Sequence, residues 1–340
     1  RGRGGLTAFP YPVPEPVLTS IERSERILLG THENPDADGL GSLVATGLTL
    51  LERGRHVAMV AIDDVPGALG DLTGLDRIPR LGDDTSDHDL ALIFDCHRRE
   101  RLGPGHERLQ QADRVIAIDH HPLDPRGSDC DELWLVEDAP ATTMMVLSLL
   151  RELHDVPMGA DKASCLYAGL LTDTGGFRHA NTTHDALIAA ADLVGHGADA
   201  AAIADTMLHR RRREALRLLG EALLATEYRL DGRVALMVVD EDLRARTGAT
   251  LAETEGLVSY LTSVEGVEVA VMLKQAEGGR WRVSMRSRSG IRVDRIAREF
   301  GGGGHHRAAA FSADHTPREE LEAGLLDRIA AVAGGRAEGP

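Results

Sequence analysis

Three short apolar runs in the first half of the chain each stop on residues that can bind a cation, and no other feature constrains the fold as strongly. Leu90-Ala91-Leu92-Ile93-Phe94 ends at Asp95, Val115-Ile116-Ala117-Ile118 ends at Asp119-His120-His121, and Arg26 to Thr31 ends at His32. Short runs without polar alternation are strands buried on both faces, as in parallel sheets covered by helices. Further candidate strands are His56 to Ile62 and Leu133 to Val136. Helical patterns lie between the strands: Ser42 to Glu52, stopping at Gly54, and Ala141 to Leu153. Ala163, Leu166, Tyr167, Leu170 and Leu171 share one helix face and deliver Asp173 at its end, and Thr183 reads as the N-cap of a helix to Val194. Strands alternating with helices predict an α/β domain built on a parallel sheet.

Ligands of open α/β sheets gather beyond the carboxyl ends of the strands. That edge would collect His32, Asp36 and Asp38 from Thr31-His32-Glu33-Asn34-Pro35-Asp36-Ala37-Asp38-Gly39, then Asp95, Asp119, His120 and His121. A turn that caps the next helix explains Asp38 and Gly39 but not His32. An EF-hand loop fits Asn34, Asp36, Asp38 and Gly39, yet fails at its twelfth position, which is Ala45. Carboxylates gathered this closely need cations, and the mixed oxygen and imidazole set favours Mn²⁺ or Mg²⁺ over zinc. Leu171-Thr172-Asp173-Thr174-Gly175 carries an Asp-Thr-Gly found also in aspartic proteases, but the chain is not all-β, so Asp173 reads better as a further metal ligand.

The second half differs in charge and pattern. Residues 1–209 hold 17 basic and 34 acidic side chains, whereas residues 210–340 hold 21 and 20. Arg280, Arg282, Arg286, Arg288, Arg292, Arg295, Arg298 and Arg307 form an anion-attracting strip just around Gly301-Gly302-Gly303-Gly304-His305-His306. Small residues let backbone N–H groups approach an anion, so strip and loop together suggest a phosphate site. Asp205 to Tyr228 reads as a polar helical connector without strand signal. Beyond it come strand Val234 to Val239, helix Thr254 to Ser263, strands Val267 to Lys274 and Trp281 to Ser287, helix Val293 to Phe300, strand Ala308 to Ser312 and helix Pro317 to Val332.

A net charge of −16 excludes indiscriminate coating of long nucleic acid, and only 3% aromatic residues leave too few rings for a long stacking platform. The cysteines Cys96, Cys130 and Cys165 form no C-x-x-C pair, which fits a reducing cytoplasm. No apolar run approaches the roughly 18 residues of a membrane span. Residues 1–19, with Pro10, Pro12, Pro14 and Pro16, read as an arm.

Taken together, His32-x-x-Pro35-Asp36-x-Asp38-Gly39, Asp95, Asp119-His120-His121 and Leu171-Thr172-Asp173-Thr174-Gly175 resemble the motifs of the DHH phosphoesterase superfamily. The glycine run with His305 resembles the signature of its DHHA1 subfamily, and the likeness spans about residues 20–333. It implies a parallel-sheet DHH domain over 20–204, a helical linker over 205–228 and a smaller mixed α/β DHHA1 domain over 229–333. It also implies two Mn²⁺ ions, with Mg²⁺ as the alternative, one held by His32, Asp36 and Asp95 and the other by Asp38, Asp95, His120 and Asp173. Asp119 would orient the histidines, and His121 would contact the reacting phosphate. Arg286, Ser287, Gly303, Gly304 and His305 would hold a nucleotide phosphate. Where the family usually continues Ala-Ala-Gly, this chain has Ala308-Ala309-Ala310.

The most similar members act as oligoribonucleases on short RNA and as 3′-phosphoadenosine 5′-phosphate (pAp) phosphatases, so the resemblance implies a homodimeric hydrolase of short RNA and phosphorylated nucleotides. It implies no membrane and no long duplex as partner. The rivals are a cyclic-di-AMP phosphodiesterase, a processive exonuclease of the RecJ type, a manganese pyrophosphatase and a nucleotide-binding regulator on an inactive phosphoesterase. The exonuclease usually carries a further OB-type domain, the pyrophosphatase lacks the glycine-histidine loop, and a dead enzyme would tolerate lost ligands that are all present here.

Overall fold

The computed structural model describes residues 11–60, 67–70, 72–81, 87–288, 290–314 and 316–334. The chain divides into two compact units, Arg1–Arg210 and Arg211–Pro340. In the first, strands β1 (Arg26–Thr31), β2 (His56–Met59), β3 (Leu90–Phe94), β4 (Val115–Asp119) and β5 (Glu132–Leu135) form one parallel sheet in the order β2-β1-β3-β4-β5. β2 stops at Met59, before the expected Val60, and residues 61–62 of the expected continuation to Ile62 lie outside the described residues. Thr31 pairs with Phe94 and Phe94 with Ile118, so the three central strands end level with one another. That register, which the apolar runs alone do not specify, puts their terminal polar residues on one edge.

Every residue of β3 and β4 is buried, because both sheet faces are covered. Ile27, Leu29, Leu92, Phe94, Ile116 and Ile118 face helices α2 (Ala37–Glu52), α3 (Thr142–Glu152) and α4 (Ala160–Asp173), while Leu28, Ala91, Ile93 and Ala117 face Leu102 and Leu109. Helix α2 begins five residues before the expected Ser42. The Asp36 carboxylate accepts from the N–H groups of Asp38 and Gly39, so the cap lies inside the polar motif and not at its end. The N-terminal segment also differs from the expected arm. Helix α1 (Glu15–Arg23) spans part of it and buries Val17 and Ile21 in the main core. Pro14 and Pro16 fall at the cap and first turn, where a missing N–H costs nothing. Helix α5 (His184–Gly195) starts where expected, with the Thr183 hydroxyl accepting from Ala186 N–H.

The second unit holds strands β6 (Glu227–Arg229), β7 (Val234–Val239), β8 (Val269–Gln275), β9 (Trp281–Ser287), β10 (Gly303–His305) and β11 (Ala308–Ala313), ordered β10-β11-β9-β8-β7-β6. Only β7 and β8 run parallel, so the sheet is mixed. Helix α6 (Arg213–Leu224), expected within the connector, packs Leu218 and Ala222 on Ala235 and Met237, together with α7 (Glu241–Thr247) and α8 (Leu257–Leu261). Tyr228, placed by its polar surroundings in a helix, lies instead in the edge strand β6. Helix α8 starts later than the expected Thr254 because Gly256, with φ of 77°, breaks it from the preceding turn. On the other sheet face α9 (Val293–Glu299) and α10 (Arg318–Gly334) cover Val283, Met285 and Phe311.

Helices α2 and α4 approach closely through two glycines. A Cβ at Gly41 would stand 2.4 Å from the Cys165 carbonyl oxygen, and one at Gly169 would stand 2.9 Å from Asp38 Cα. Both of these obstacles are backbone, and a Cβ at Gly169 would also stand 2.5 Å from Thr143 Cγ2. Gly169→Ala is therefore expected to destabilise the protein by about 1–3 kcal/mol, the usual cost of overpacking, measured by urea unfolding. Unchanged stability would show that the two helices are free to separate.

Candidate metal centre

The level strand ends bring together a group of acids and imidazoles around Asp95. This residue follows β3 with φ of 60°, a left-handed backbone that aspartate adopts more readily than most side chains. Its carboxylate is buried; Oδ2 lies 3.3 Å from His32 Nε2, and Oδ1 lies 3.5 Å from His120 Nε2 and 3.3 Å from His121 Nδ1. Thr142 Oγ1 donates to the same Oδ1 at 3.1 Å. His32, Asp36 and Asp95 form one set of mutually close ligand atoms, and Asp38, Asp95 and His120 form another. Asp173 Oδ2, at the end of α4, joins the second set 3.3 Å from His120 Nε2. Asp95 is thus common to both.

Two backbone contacts set the imidazoles for cation binding. The Nδ1 of His32 meets the Glu33 carbonyl at 2.9 Å, and that of His120 meets the Ala139 carbonyl at 2.9 Å. A carbonyl only accepts, so each Nδ1 carries a proton, and Nε2 is the nitrogen left to face the carboxylates and exchange its proton for a cation. His32 Nε2 is buried, and Asp95 and Asp36 oxygens lie 3.3 and 3.7 Å from it. These residues fit divalent cations: the donors are imidazole nitrogen and carboxylate oxygen, and the carboxylates Asp36, Asp38, Asp95 and Asp173 balance two dications.

The electrostatics show the same need. Burial, then Asp173 and Asp95, push the Asp38 carboxyl well above its ordinary range, and burial also raises Asp173. Burial opposes charge on His32, but hydrogen bonds and charge from Asp36 and Asp95 outweigh it and lift the pKa to about 10. Burial likewise opposes charge on His121, and Asp95 and Asp119 lift it to about 9. Asp95 itself is held well below the carboxylate range, burial being overcome by His121, His32 and His120. Protons take the role of the cations when none is bound.

Asp119 lies one step behind. Fully buried, it accepts from the backbone N–H and the Nδ1 of His121 at 3.0 and 2.8 Å, and from His97 Nδ1 at 2.5 Å. Sequence reasoning missed His97, and also the N-terminus of α3. There the Thr142 and Thr143 N–H groups donate to the two Asp38 oxygens at 2.7 and 2.8 Å, an anion site at a helix start. The signal was present in Ala141-Thr142-Thr143 opening an expected helix, but nothing in it named Asp38 as the partner.

In the second unit, Arg286 on β9 pairs with Ala308, which pairs with His305, so Arg286 and His305 share a row across the sheet. Gly303 and Gly304 lie in β10, and a Cβ at Gly304 would stand 2.5 Å from the Ala308 carbonyl. The glycine run is therefore a paired edge strand and not only a loop. Burial depresses the Arg286 pKa. Ser287 does not join them: alternation along β9 turns it inward, and its hydroxyl donates to the Ile291 carbonyl at 2.7 Å. Ala310 pairs with both Gly303 and Ser284, and its methyl lies exposed on the sheet.

Family models match both units: "DHH family, N-terminal domain" over residues 26–170 and "DHHA1 domain" over residues 231–334. The chain is 32% identical to the bifunctional oligoribonuclease and PAP phosphatase NrnA of Thermus thermophilus, over 86% of this chain and 85% of that protein. An exopolyphosphatase-related protein from Bacteroides fragilis shares the fold, with a TM-score of 0.83 at 22% identity, covering 94% of this chain and 97% of its own. RecJ from Thermus thermophilus, crystallised with Mn²⁺, matches with a TM-score of 0.57 at 16% identity, over 96% of this chain and 56% of RecJ.

Metal and protons compete for the same atoms. Unfolded histidine titrates near 6.5, so the stability that His32 and His121 give the metal-free protein is complete below that pH and lost as pH rises to about 9–10. The melting temperature of the chelator-treated protein should fall across that window. Titration with Mn²⁺ at about pH 7.5 should release protons, read calorimetrically in buffers of different ionisation enthalpy. Heat independent of buffer would contradict the assignment of these imidazoles to the metal.

Proposed function

Because the chain belongs to the DHH phosphoesterase family and carries its DHHA1 domain, we propose that it is a Mn²⁺-dependent hydrolase of short RNA oligonucleotides and of pAp. The observation that carries this reading is the sharing of one buried carboxylate, Asp95, between two ligand sets. When bound, a pair of divalent cations supplies an acidified water and neutralises the leaving oxygen of an in-line displacement.

The chain's own residues do the rest. Asp38 is fixed by two amides at the start of α3, and Asp36 by capping α2, so neither ligand needs to reorganise when a substrate arrives. Asp119 holds His121 through Nδ1 and turns the ring's other nitrogen, Nε2, to the task of contacting the reacting phosphate. Arg286, with Gly303, Gly304 and His305 across the intervening strand β11, holds a nucleotide phosphate, and a partly desolvated guanidinium binds an anion more strongly than one in water. A phosphate held by the second unit favours phosphorylated nucleotides over simple esters. Ser287 supports this face by fixing the turn that follows Arg286.

The full-length protein with Mn²⁺ should release AMP from pAp and from the dinucleotide pApA. No release from either would favour a nucleotide-binding regulator, and faster cleavage of cyclic-di-AMP would make the cyclic phosphodiesterase the better reading. Asp95→Ala should abolish turnover, and near-normal activity would refute the shared ligand. Arg286→Ala should raise KM roughly tenfold or more, in line with about 1.5–3 kcal/mol for a hydrogen bond to a charged group, with little change in Mn²⁺ affinity. An unchanged KM would remove Arg286 from the substrate.

A further inference from the structure

His97 stands two residues after Asp95, is buried, and lies outside every recognised motif position. Both of its ring nitrogens are engaged. Nδ1 lies 2.5 Å from Asp119 Oδ2, and the Asp124 backbone N–H donates to Nε2 at 3.2 Å. A backbone amide can only donate, so Nε2 holds a lone pair and the ring proton sits on Nδ1. The ring is therefore a neutral donor to Asp119 and an acceptor from Asp124, with its tautomer dictated from both sides.

Asp119 passes the constraint on. Its Oδ2 takes the His97 hydrogen, which leaves Oδ1 for the backbone and side-chain N–H of His121. The same segment anchors the loop after the histidines: Ser128 Oγ and Asp129 N–H donate to the His97 carbonyl, and Arg98 donates to the Gly127 carbonyl. His97 is the point where that loop and the Asp119 carboxylate meet.

We infer that His97 is a positioning residue for phosphoester hydrolysis, fixing the ring of His121 through Asp119. The assignment rests on the function proposed above, in which His121 meets the reacting phosphate. Its bonds are separable by substitution. Asparagine places an amide N–H where the Nδ1–H of histidine lies and keeps the bond to Asp119, whereas glutamine reaches the Nε2 position and keeps only the bond to Asp124.

The test compares His97→Ala, His97→Asn and His97→Gln in the full-length protein, with pAp as substrate and Mn²⁺ as cofactor. Loss of such an outer-shell bond typically costs about 10–100-fold, and here the loss should fall on kcat with KM changed less than about threefold. His97→Asn should restore kcat to within about fivefold of wild type, while His97→Gln should remain as impaired as His97→Ala. A kcat within twofold of wild type for His97→Ala, or rescue by glutamine and not asparagine, would overturn the assignment. A readout independent of turnover is the ¹⁵N spectrum of the histidine rings in the Mg²⁺-loaded protein. His97 should be protonated at Nδ1 and bare at Nε2, and His97→Ala should disturb the His121 ring signals; a proton on His97 Nε2 overturns the relay. If the wild type hydrolyses no phosphate ester, the proposed function fails, while these spectra still decide the contact between His97 and Asp119.

Discussion

The burial of carboxylates around Asp95 is the constraint on which the rest of the first unit depends. Carboxylates with almost no access to water are costly unless charge and hydrogen bonds are supplied. The fold supplies both: Thr142 and the α3 N-terminus on one side, imidazoles held by backbone carbonyls on the other. The strand register brings Asp95 and Asp119 level, and the glycine seam between α2 and α4 lets Asp38 and Asp173 reach the same place. These residues could hold divalent cations, and the rings of His32 and His121 hold protons more tightly than free imidazoles do.

This layout divides the ionisable residues by task. Those nearest Asp95 have the atoms that could hold a cation, and their neighbours fix which nitrogen or oxygen faces it. Asp119 belongs to the second kind. Although it opens the Asp-His-His motif, its oxygens are taken by His121 and His97, and burial is outweighed there by charge and hydrogen bonds that keep it ionised. A motif residue and a residue outside any motif thus serve one function.

Much of this was legible in the sequence, for definite reasons. Unbroken apolar runs announce strands buried on both faces, and a polar residue directly after such a run has only the sheet edge to occupy, which is why Asp95, Asp119 and His120 could be named. Other features were less visible because they depend on contacts distant in sequence. The amides of Thr142 and Thr143 are 104 and 105 residues from Asp38. His97 went unnamed because its partner Asp119 lies on the neighbouring strand, 22 residues away. Helix α1 was hidden by prolines that suit a helix start as well as they suit an arm, and α2 was set late because its cap lay inside the ligand motif. Ser287, assigned to the phosphate site by the family resemblance, is on the buried face of β9, because alternation along a strand puts it opposite Arg286.

Asp95 is proposed to be shared between two cations. Anomalous diffraction from crystals of the Mn²⁺-loaded protein, recorded at the manganese edge, tests it most directly. Two peaks about 3.5–4 Å apart are expected, both within bonding distance of the Asp95 carboxylate, one beside His32 and Asp36 and the other beside Asp38, His120 and Asp173. A single fully occupied peak, or a pair that Asp95 does not touch, would contradict it.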